Sequence, residues 1–244
     1  MSFETISSWF AEHYNWAASL VWLVAAVLLT KAGVWLAFRN EHLQRMRDWN
    51  RKEDKPKMAN PKWRPIAKAN QRIGGATHLF LILVAAPLTL TLSALPWWRY
   101  LVDIVVLLLV YDFIYYLSHR FWFHGNWMPM RKAHALHHQA RSPSWSDAHY
   151  VHPAETFIGL AIFVISLFLT QAIMGDIHAL VAAAGYVIWT QINTINHTKF
   201  NLDFFPFKTI DYLTTKHHIH HIDMHHGNYS SITPLYDWMF GTLE

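Results

Sequence analysis

The 244-residue sequence contains no cysteine, and only 15% of its side chains carry a charge. Without cysteine the chain forms no disulfide, no thiolate metal site and no cysteine nucleophile, so any metal must bind through histidine or carboxylate groups. Hydrophobic residues make up 53% of the chain and aromatic residues 16%. This composition is richer in apolar side chains than that of a usual soluble domain, and it favours a membrane protein.

Apolar segments run through most of the chain, and no glycine-, serine- or proline-rich linker divides it. A helix rises ~1.5 Å per residue, so about 20 apolar residues cross a hydrocarbon core of ~30 Å. The sequence predicts an all-α integral membrane helical bundle with about four to five membrane helices. A re-entrant hairpin is the alternative for the last two apolar segments. The predicted spans are residues 16–38, 73–95, 101–117, 157–174 and 179–195.

Residues 39–72 hold eleven Lys or Arg residues, an excess that marks the cytoplasmic side. The N-terminus is then predicted to lie outside, and the chain returns to the cytoplasm after the third and fifth spans. Glu4 and Glu12 stand where a signal peptide has basic residues, so the first apolar segment is predicted to be retained. The compact length and the lack of an organelle signal favour a bacterial inner membrane, with the endoplasmic reticulum as the alternative.

The formal charge of +4 raises the question of a nucleic-acid partner. The basic residues concentrate beside an apolar segment and form no motif for reading bases. Anionic lipid headgroups are therefore the predicted counter-charge, and no nucleic acid is expected.

Fourteen of the 18 histidines fall in residues 119–152 and 197–226. Positions i, i+3 and i+4 share one helix face, so each HxxHH triplet is predicted to aim three imidazoles at one point. Imidazole suits iron, zinc, copper and nickel, and a nitrogen-rich site argues against magnesium or calcium. Scattered pH-responsive surface groups are the alternative for any single histidine. The spacing is His119-x4-His124, His134-x2-His137-His138, His197 and His217-x2-His220-His221.

His119 and His124 are five residues apart, about 140° around an ideal helix. They do not share a face unless the helix ends or is distorted between them. Gly125 favours an ending at this point.

These histidine boxes resemble those of the fatty acid hydroxylase and sterol desaturase superfamily. The likeness extends to the residues around Asp112 before the first box, to the His152-Pro-Ala-Glu155 segment, and to the closing Asn228-Tyr229 and Asp237-Trp-Met-Phe-Gly-Thr segments. It covers about residues 100–244, the predicted catalytic region. Residues 1–99 are predicted to supply membrane helices and a basic cytoplasmic loop of the same integrated domain.

The resemblance implies a cytoplasmic, histidine-rich helical cap that binds two irons and activates dioxygen, with zinc as a substitute in a purified form. Some members have a histidine where this chain has Asn193, so water, Asn193 or another histidine fills that position. His152 is a further candidate ligand, or else it starts a helix. The implied iron ligands are His119, His124, His134, His137, His138, His197, His217, His220 and His221.

Asp112 lies about two helical turns before His119, and its carboxylate is predicted to accept the N–H of a ligating imidazole. An interfacial or inter-helix polar contact is the alternative. Tyr115 and Tyr116 are predicted to belong to an interfacial aromatic belt, and hydrogen bonds near the metals are the alternative.

The resemblance implies an oxidoreductase that hydroxylates a C–H bond of an acyl chain or a sterol-like lipid from the bilayer. A desaturase or demethylase acting on a sterol, carotenoid or lipid head group is the alternative, and a metal-handling membrane protein is the alternative of another class. The chain shows no flavin or dinucleotide fingerprint, so an external ferredoxin, cytochrome or reductase is expected to supply electrons.

Overall fold

The computed structural model describes Ser8 and residues 13–244. These residues are predominantly helical, which confirms the predicted membrane helical bundle. The only strands among them are β1 (Leu90–Thr91) and β2 (Ile177–His178), and a 3₁₀ turn covers Trp145–His149. The helices are α1 (Trp16–Ala37), α2 (Glu41–Ala59), α3 (Trp63–Phe80), α4 (Trp97–Ser118), α5 (Met128–His137), α6 (Pro153–Met174), α7 (Ala179–Asn196), α8 (Lys208–His220) and α9 (Leu235–Met239).

Two helices continue through π-turns, α3 at Leu81–Ala85 and α4 at His119–Phe123. A last α-helical turn, Ala86–Thr89, follows the π-turn of α3. With these extensions, four helices in the described part of the chain are long and apolar enough to cross a membrane. Their bounds are Trp16–Ala37, Trp63–Thr89, Trp97–Phe123 and Pro153–Met174.

The second span begins ten residues before its predicted start at 73, because the polar residues ahead of the apolar run are also helical. Helix α7 has 18 residues but is not among the four, and Gln191, Asn193 and Asn196 lower its hydropathy.

The core of the bundle lies where α7 packs between α1 and α4, and α6 packs against α3 and α4. Trp22, Leu107, Phe163 and Leu167 are buried there. Gly185 allows the close approach of α7 to α4, since a Cβ at this position would lie 2.8 Å from Leu107 Cδ2.

Helices α3 and α4 form one helical hairpin, and α6 and α7 form a second. The tips of both hairpins, where the paired helices connect, lie at the same end of the bundle. β1 and β2 pair in parallel, Leu90 opposite Ile177, so the α3–α4 connection touches the α6–α7 connection. Arg99 pairs with Asp103 and also donates to the carbonyl of Met174. The second hairpin therefore reaches the same level as the first, and the histidine boxes lie at the opposite end.

The predicted basic loop is largely helical, because α2 covers Glu41–Ala59. Asn40 caps this helix by accepting from the N–H groups of His42 and Leu43. Lys, Arg, Glu and Gln are all good helix formers, so a run rich in charge need not be a loop.

Candidate metal centre

Nine histidine side chains gather in two adjacent clusters at the end of the bundle opposite the hairpin tips. Within each cluster, one nitrogen from every ring lies within 4.8 Å of the others. The first cluster comprises His119, His124, His134, His138 and His220, and the second comprises His137, His197, His217 and His221. The structure thus brings together all nine histidines named from the sequence.

Four Nε2 atoms of the first cluster form a closed ring. His119 and His138 each lie 3.0 Å from His134, and each lies 3.2 Å from His220.

In the second cluster the Nε2 atoms form a row. His197 lies 2.9 Å from His137 and 3.0 Å from His217, and His217 lies 3.1 Å from His221.

The prediction that each HxxHH triplet aims at one point is wrong. His134 and His138 join the first cluster while His137 joins the second, and His220 likewise parts from its neighbour His221. Residues four apart lie about 40° apart around a helix, whereas adjacent residues lie about 100° apart. Each triplet therefore contributes to both clusters and holds them side by side.

The π-turn explains how His119 and His124 reach the same cluster. The N–H of His124 donates to the carbonyl of His119 at 3.0 Å, a bond between residues five apart. Of the two alternatives, an end or a distortion of the helix, the structure shows the distortion between the two residues. The residue after His124 is glycine, Gly125, because a Cβ at this position would collide with the carbonyl of Phe121.

Backbone carbonyls fix the orientation of four rings. The Nδ1 atoms of His119 and His220 donate to the carbonyls of Tyr229 and Gly227, both at 2.7 Å. The Nδ1 atoms of His124 and His197 bond in the same way to the carbonyls of Met224 and Asn193. A carbonyl only accepts, so in these neutral rings Nδ1 carries the hydrogen and Nε2 presents its lone pair to the cluster.

This tautomer assignment shows that the clusters fit a metal. The Nε2 atoms of His119 and His220 lie 3.2 Å apart in a buried space, and neither carries a hydrogen that could join them. Two nitrogens bound at right angles to one ion, each at ~2.1 Å, lie about 3.0 Å apart. A shared cation therefore accounts for the spacing.

Protonation does not supply that cation. Burial lowers the pKa of His220 and His134 well below the usual range, and it lowers the pKa of His197 and His124 to about 4. Neutral imidazole is the form that binds iron, zinc, copper and nickel.

The fatty acid hydroxylase family model matches residues 104–242, which include both clusters. The chain belongs to this family. No solved structure matches it.

Curated relatives of this fatty acid hydroxylase family member are named as enzymes. The very-long-chain aldehyde decarbonylase CER1 of Arabidopsis thaliana is 28% identical over 62% of the chain and 25% of its own length. The decarbonylase GL1-6 of Oryza sativa subsp. japonica is 30% identical over 69% of the chain and 27% of its own length. Methylsterol monooxygenase 2-1 of Arabidopsis thaliana is 30% identical over 61% of the chain and 58% of its own length. The chain thus spans about a quarter of these two decarbonylases and 58% of the monooxygenase.

In this family member, the closing segments at residues 228–229 and 237–242 fix the loop that contains Gly227 and Tyr229. The carbonyls of these two residues orient the rings of His220 and His119. Asp237 accepts from the N–H groups of Tyr229 and Ser230, both at 2.8 Å, and from the hydroxyl of Thr242. Asn228 has a positive φ of 59°, and its side chain accepts from the N–H of Glu244. These residues therefore act on the clusters indirectly, through His119 and His220.

Asp112 does not accept from an imidazole as predicted. Its carboxylate accepts from the N–H groups of Ser231, Ile232 and Thr233, each at 2.9 Å. Seven residues of helix rise about 10 Å, which is too far for Asp112 to reach His119. The carboxylate instead anchors the same closing loop.

Glu155 is the carboxylate that lies against a clustered ring. Its Oε1 atom is 3.1 Å from Nδ1 of His134, and both side chains are buried. The His-Pro-Ala-Glu segment was the sequence signal for this residue.

His152 lies outside both clusters. It is exposed, and its Nδ1 accepts from the N–H of Ala154, so it caps the start of α6. Asn193 contributes its backbone carbonyl to His197, and its role as a ligand stays a prediction. Tyr116 is fully buried and accepts from Arg120, so its assignment to an aromatic belt is wrong.

Helix α2 binds the 3₁₀ turn at Trp145–His149, and also Lys199, two residues after His197, through residues that sequence reasoning missed. Asn50 accepts from the N–H groups of Trp145 and Lys199, Asp54 accepts from the N–H of Ser146, and Lys57 pairs with Asp147. Asn50, Asp54 and Lys57 share one helix face by their spacing, and Asn50 and Asp54 are buried amid a basic run. The signal available in the sequence was the helical spacing of these three residues within the basic run.

Proposed function

We propose that this protein is a membrane di-iron oxygenase that uses dioxygen to hydroxylate a C–H bond of a lipid, an acyl chain or a sterol-like molecule. The observation that carries the proposal is the pair of all-histidine clusters at one end of apolar helices. The relatives named for methylsterols and very-long-chain aldehydes support a lipid substrate.

The first cluster would hold one iron and the second cluster the other. A saturated C–H bond offers no group on which ordinary side chains can act, and bound iron would supply the dioxygen chemistry. The protein's own part is to fix the rings, through carbonyls such as those of Tyr229 and Gly227 and through Glu155. Zinc would fit the same nitrogen ligands in a purified protein.

The histidine end of the bundle would face the cytoplasm. Nine of the eleven basic residues of 39–72 lie in α2 and in residues 63–72 of α3, on the side of the clusters, and such residues favour the cytoplasmic side. A bacterial inner membrane remains the predicted compartment, with the endoplasmic reticulum as the alternative.

An external ferredoxin, cytochrome or reductase would supply two electrons per turnover. We expect the purified, iron-loaded protein to oxidise lipid only when such a donor is added. Turnover with NADPH alone would contradict this part of the proposal.

Comparative lipid mass spectrometry tests the function. Cells would express the wild type, His137→Ala or His225→Ala, and grow with oxygen, a competent donor and a broad lipid supply. His137 belongs to the second cluster, whereas His225 is exposed and outside both clusters, so it is the matched control.

We expect a lipid that gains one oxygen in the wild type and in His225→Ala and is absent in His137→Ala. A lipid that loses two hydrogens instead would identify a desaturase. Folded protein that binds metal and changes no lipid would favour a metal-handling role.

A further inference from the structure

A row of aromatic rings leads from the first cluster into the middle of the bundle. The ring centroid of His119 lies 5.1 Å from that of Tyr115, which lies 5.8 Å from that of Tyr111. Trp189 follows at 4.8 Å and Tyr186 at 5.6 Å. These are distances of direct ring contact. We call Tyr115, Tyr111, Trp189 and Tyr186 the aromatic row.

The row follows from the sequence of two helices. Tyr111, Tyr115 and His119 are four residues apart, so they lie along one face of α4 and its π-turn. Tyr186 and Trp189 are three apart on α7, which packs against α4.

A proton acceptor stands at the far end of the row. The hydroxyl of Tyr186 is hydrogen-bonded to Nε2 of His78, and Nδ1 of His78 lies 2.7 Å from the carbonyl of Gly74. The carbonyl only accepts, so Nδ1 carries the hydrogen and Nε2 of the neutral ring is an acceptor. The hydroxyl of Tyr186 is therefore the donor.

Packing of the core would not by itself require tyrosine and tryptophan in the aromatic row, where phenylalanine could also fill the space. Phe163 stacks on Trp189 with centroids 5.1 Å apart, so a plain phenyl ring fits the same surroundings. Phenol and indole carry polar groups whose burial in apolar surroundings is costly. They are also the side chains whose rings give up an electron most readily.

We propose that the aromatic row protects the histidine clusters by passing an electron from Tyr186 to an oxidised metal centre when dioxygen has been activated and no lipid is bound. This inference rests on the proposed function. Tyr186 loses one electron, its O–H bond breaks, and the proton forms an N–H bond at Nε2 of His78. The electron passes through Trp189, Tyr111 and Tyr115. The external donor later returns an electron to Tyr186, and His78 returns the proton.

The absence of cysteine allows a direct test, because one introduced cysteine labels a single position. Trp122 is exposed and three residues from His119, so W122C would carry a ruthenium polypyridyl photo-oxidant at the cluster end of the row. A flash with an external quencher would then oxidise the row in the full, zinc-loaded chain in nanodiscs. Transient absorption and electron paramagnetic resonance would record a tyrosyl radical. Its loss in Y186F would assign the radical to Tyr186.

We expect Y111F and W189F to lose this radical to the level of Y186F, while Y212F retains it. Tyr212 is exposed on α8 and lies outside the row, so it is the matched control. In H78F the Tyr186 radical should be lost while an oxidised tryptophan persists, which separates proton acceptance from misfolding.

An undiminished Tyr186 radical in W189F and Y111F would overturn the proposal, as would no radical in the parent W122C protein. The photo-oxidant needs neither iron nor dioxygen. A failure of the row is thus distinct from a failure of the proposed lipid oxidation.

Discussion

Glu155 illustrates how one buried carboxylate outside the clusters acts on a ring within them. It lies 3.1 Å from Nδ1 of His134, opposite the nitrogen that faces the first cluster. A carboxylate that accepts the N–H of a metal-binding imidazole orients the ring and raises its basicity, and its loss typically lowers metal affinity or activity by about 10–100-fold.

We therefore expect Glu155→Gln to lower iron affinity by about 10-fold without unfolding the protein. Iron retained against a graded chelator is the measurement. Glu41→Gln, at the exposed start of α2, is the control and should retain iron like the wild type. Equal retention in both variants would show that Glu155 serves only to fill space.

At the scale of the structural elements, the loop at residues 227–233, between α8 and α9, is bound to α4 through Asp112. Three N–H groups and the hydroxyl of Thr233 converge on this one buried carboxylate. The same loop supplies the carbonyls that orient His119 and His220.

Asp112→Asn should lower the free energy of unfolding by about 2 kcal/mol, because an amide nitrogen would face N–H donors. For a chain of this size, that predicts a melting temperature lower by about 4–8 °C in a detergent-solubilised sample. Asp176→Asn at the exposed hairpin tip is the control. A variant as stable as this control would remove the anchoring role.

The π-turn of α4 gives another element-scale prediction. Deleting Trp122 would convert the five-residue spacing of His119 and His124 into a four-residue spacing, which also places both rings on one face. Inserting an alanine after Trp122 would make the spacing six and turn His124 away.

We expect the deletion variant to retain more iron than the insertion variant, as measured by metal analysis of folded, monodisperse protein. Equal loss of iron in both variants would mean that the cluster requires the π-turn itself and not the shared face.

The helices could be predicted from the sequence where apolar runs or the spacing of residues around a helix determine them. The apolar runs predicted α1 and α6 to within a few residues, and the five-residue spacing predicted an end or a distortion of the helix after His119. The carbonyl partners of the rings could not be predicted. They depend on the path of the loop at residues 227–233, which no helical period specifies.

The same reason explains the two errors at the site. Adjacent histidines such as His137 and His138 diverge around α5, but only the packed structure shows that a second cluster lies on that side. Asp112 lies in the right sequence neighbourhood of His119, yet its contacts come from residues more than a hundred positions later.

At the scale of the whole molecule, the contact between the hairpin tips fixes which ends of the bundle lie together. Ser93 and Asp176 are exposed at the tip end, and Arg141 is exposed at the histidine end. If both hairpins cross the bilayer, these two ends face opposite compartments.

Single cysteines at Ser93, Asp176 and Arg141 test this arrangement, since the chain has no other thiol. A membrane-impermeant maleimide should label S93C and D176C from one side and R141C from the other. Labelling of D176C from the R141C side would show that the second hairpin does not cross.

The clusters draw their rings from α4, α5, α7 and α8, and the orienting carbonyls of Gly227 and Tyr229 come later still. A ribosome must therefore synthesise the chain as far as His220 before the first cluster has its five rings, and as far as His221 before the second has its four. A nascent chain that ends before His217 has only six of the nine rings, with neither group closed. Metal insertion would then follow the synthesis of the second HxxHH triplet, after the four apolar helices that precede it have been made.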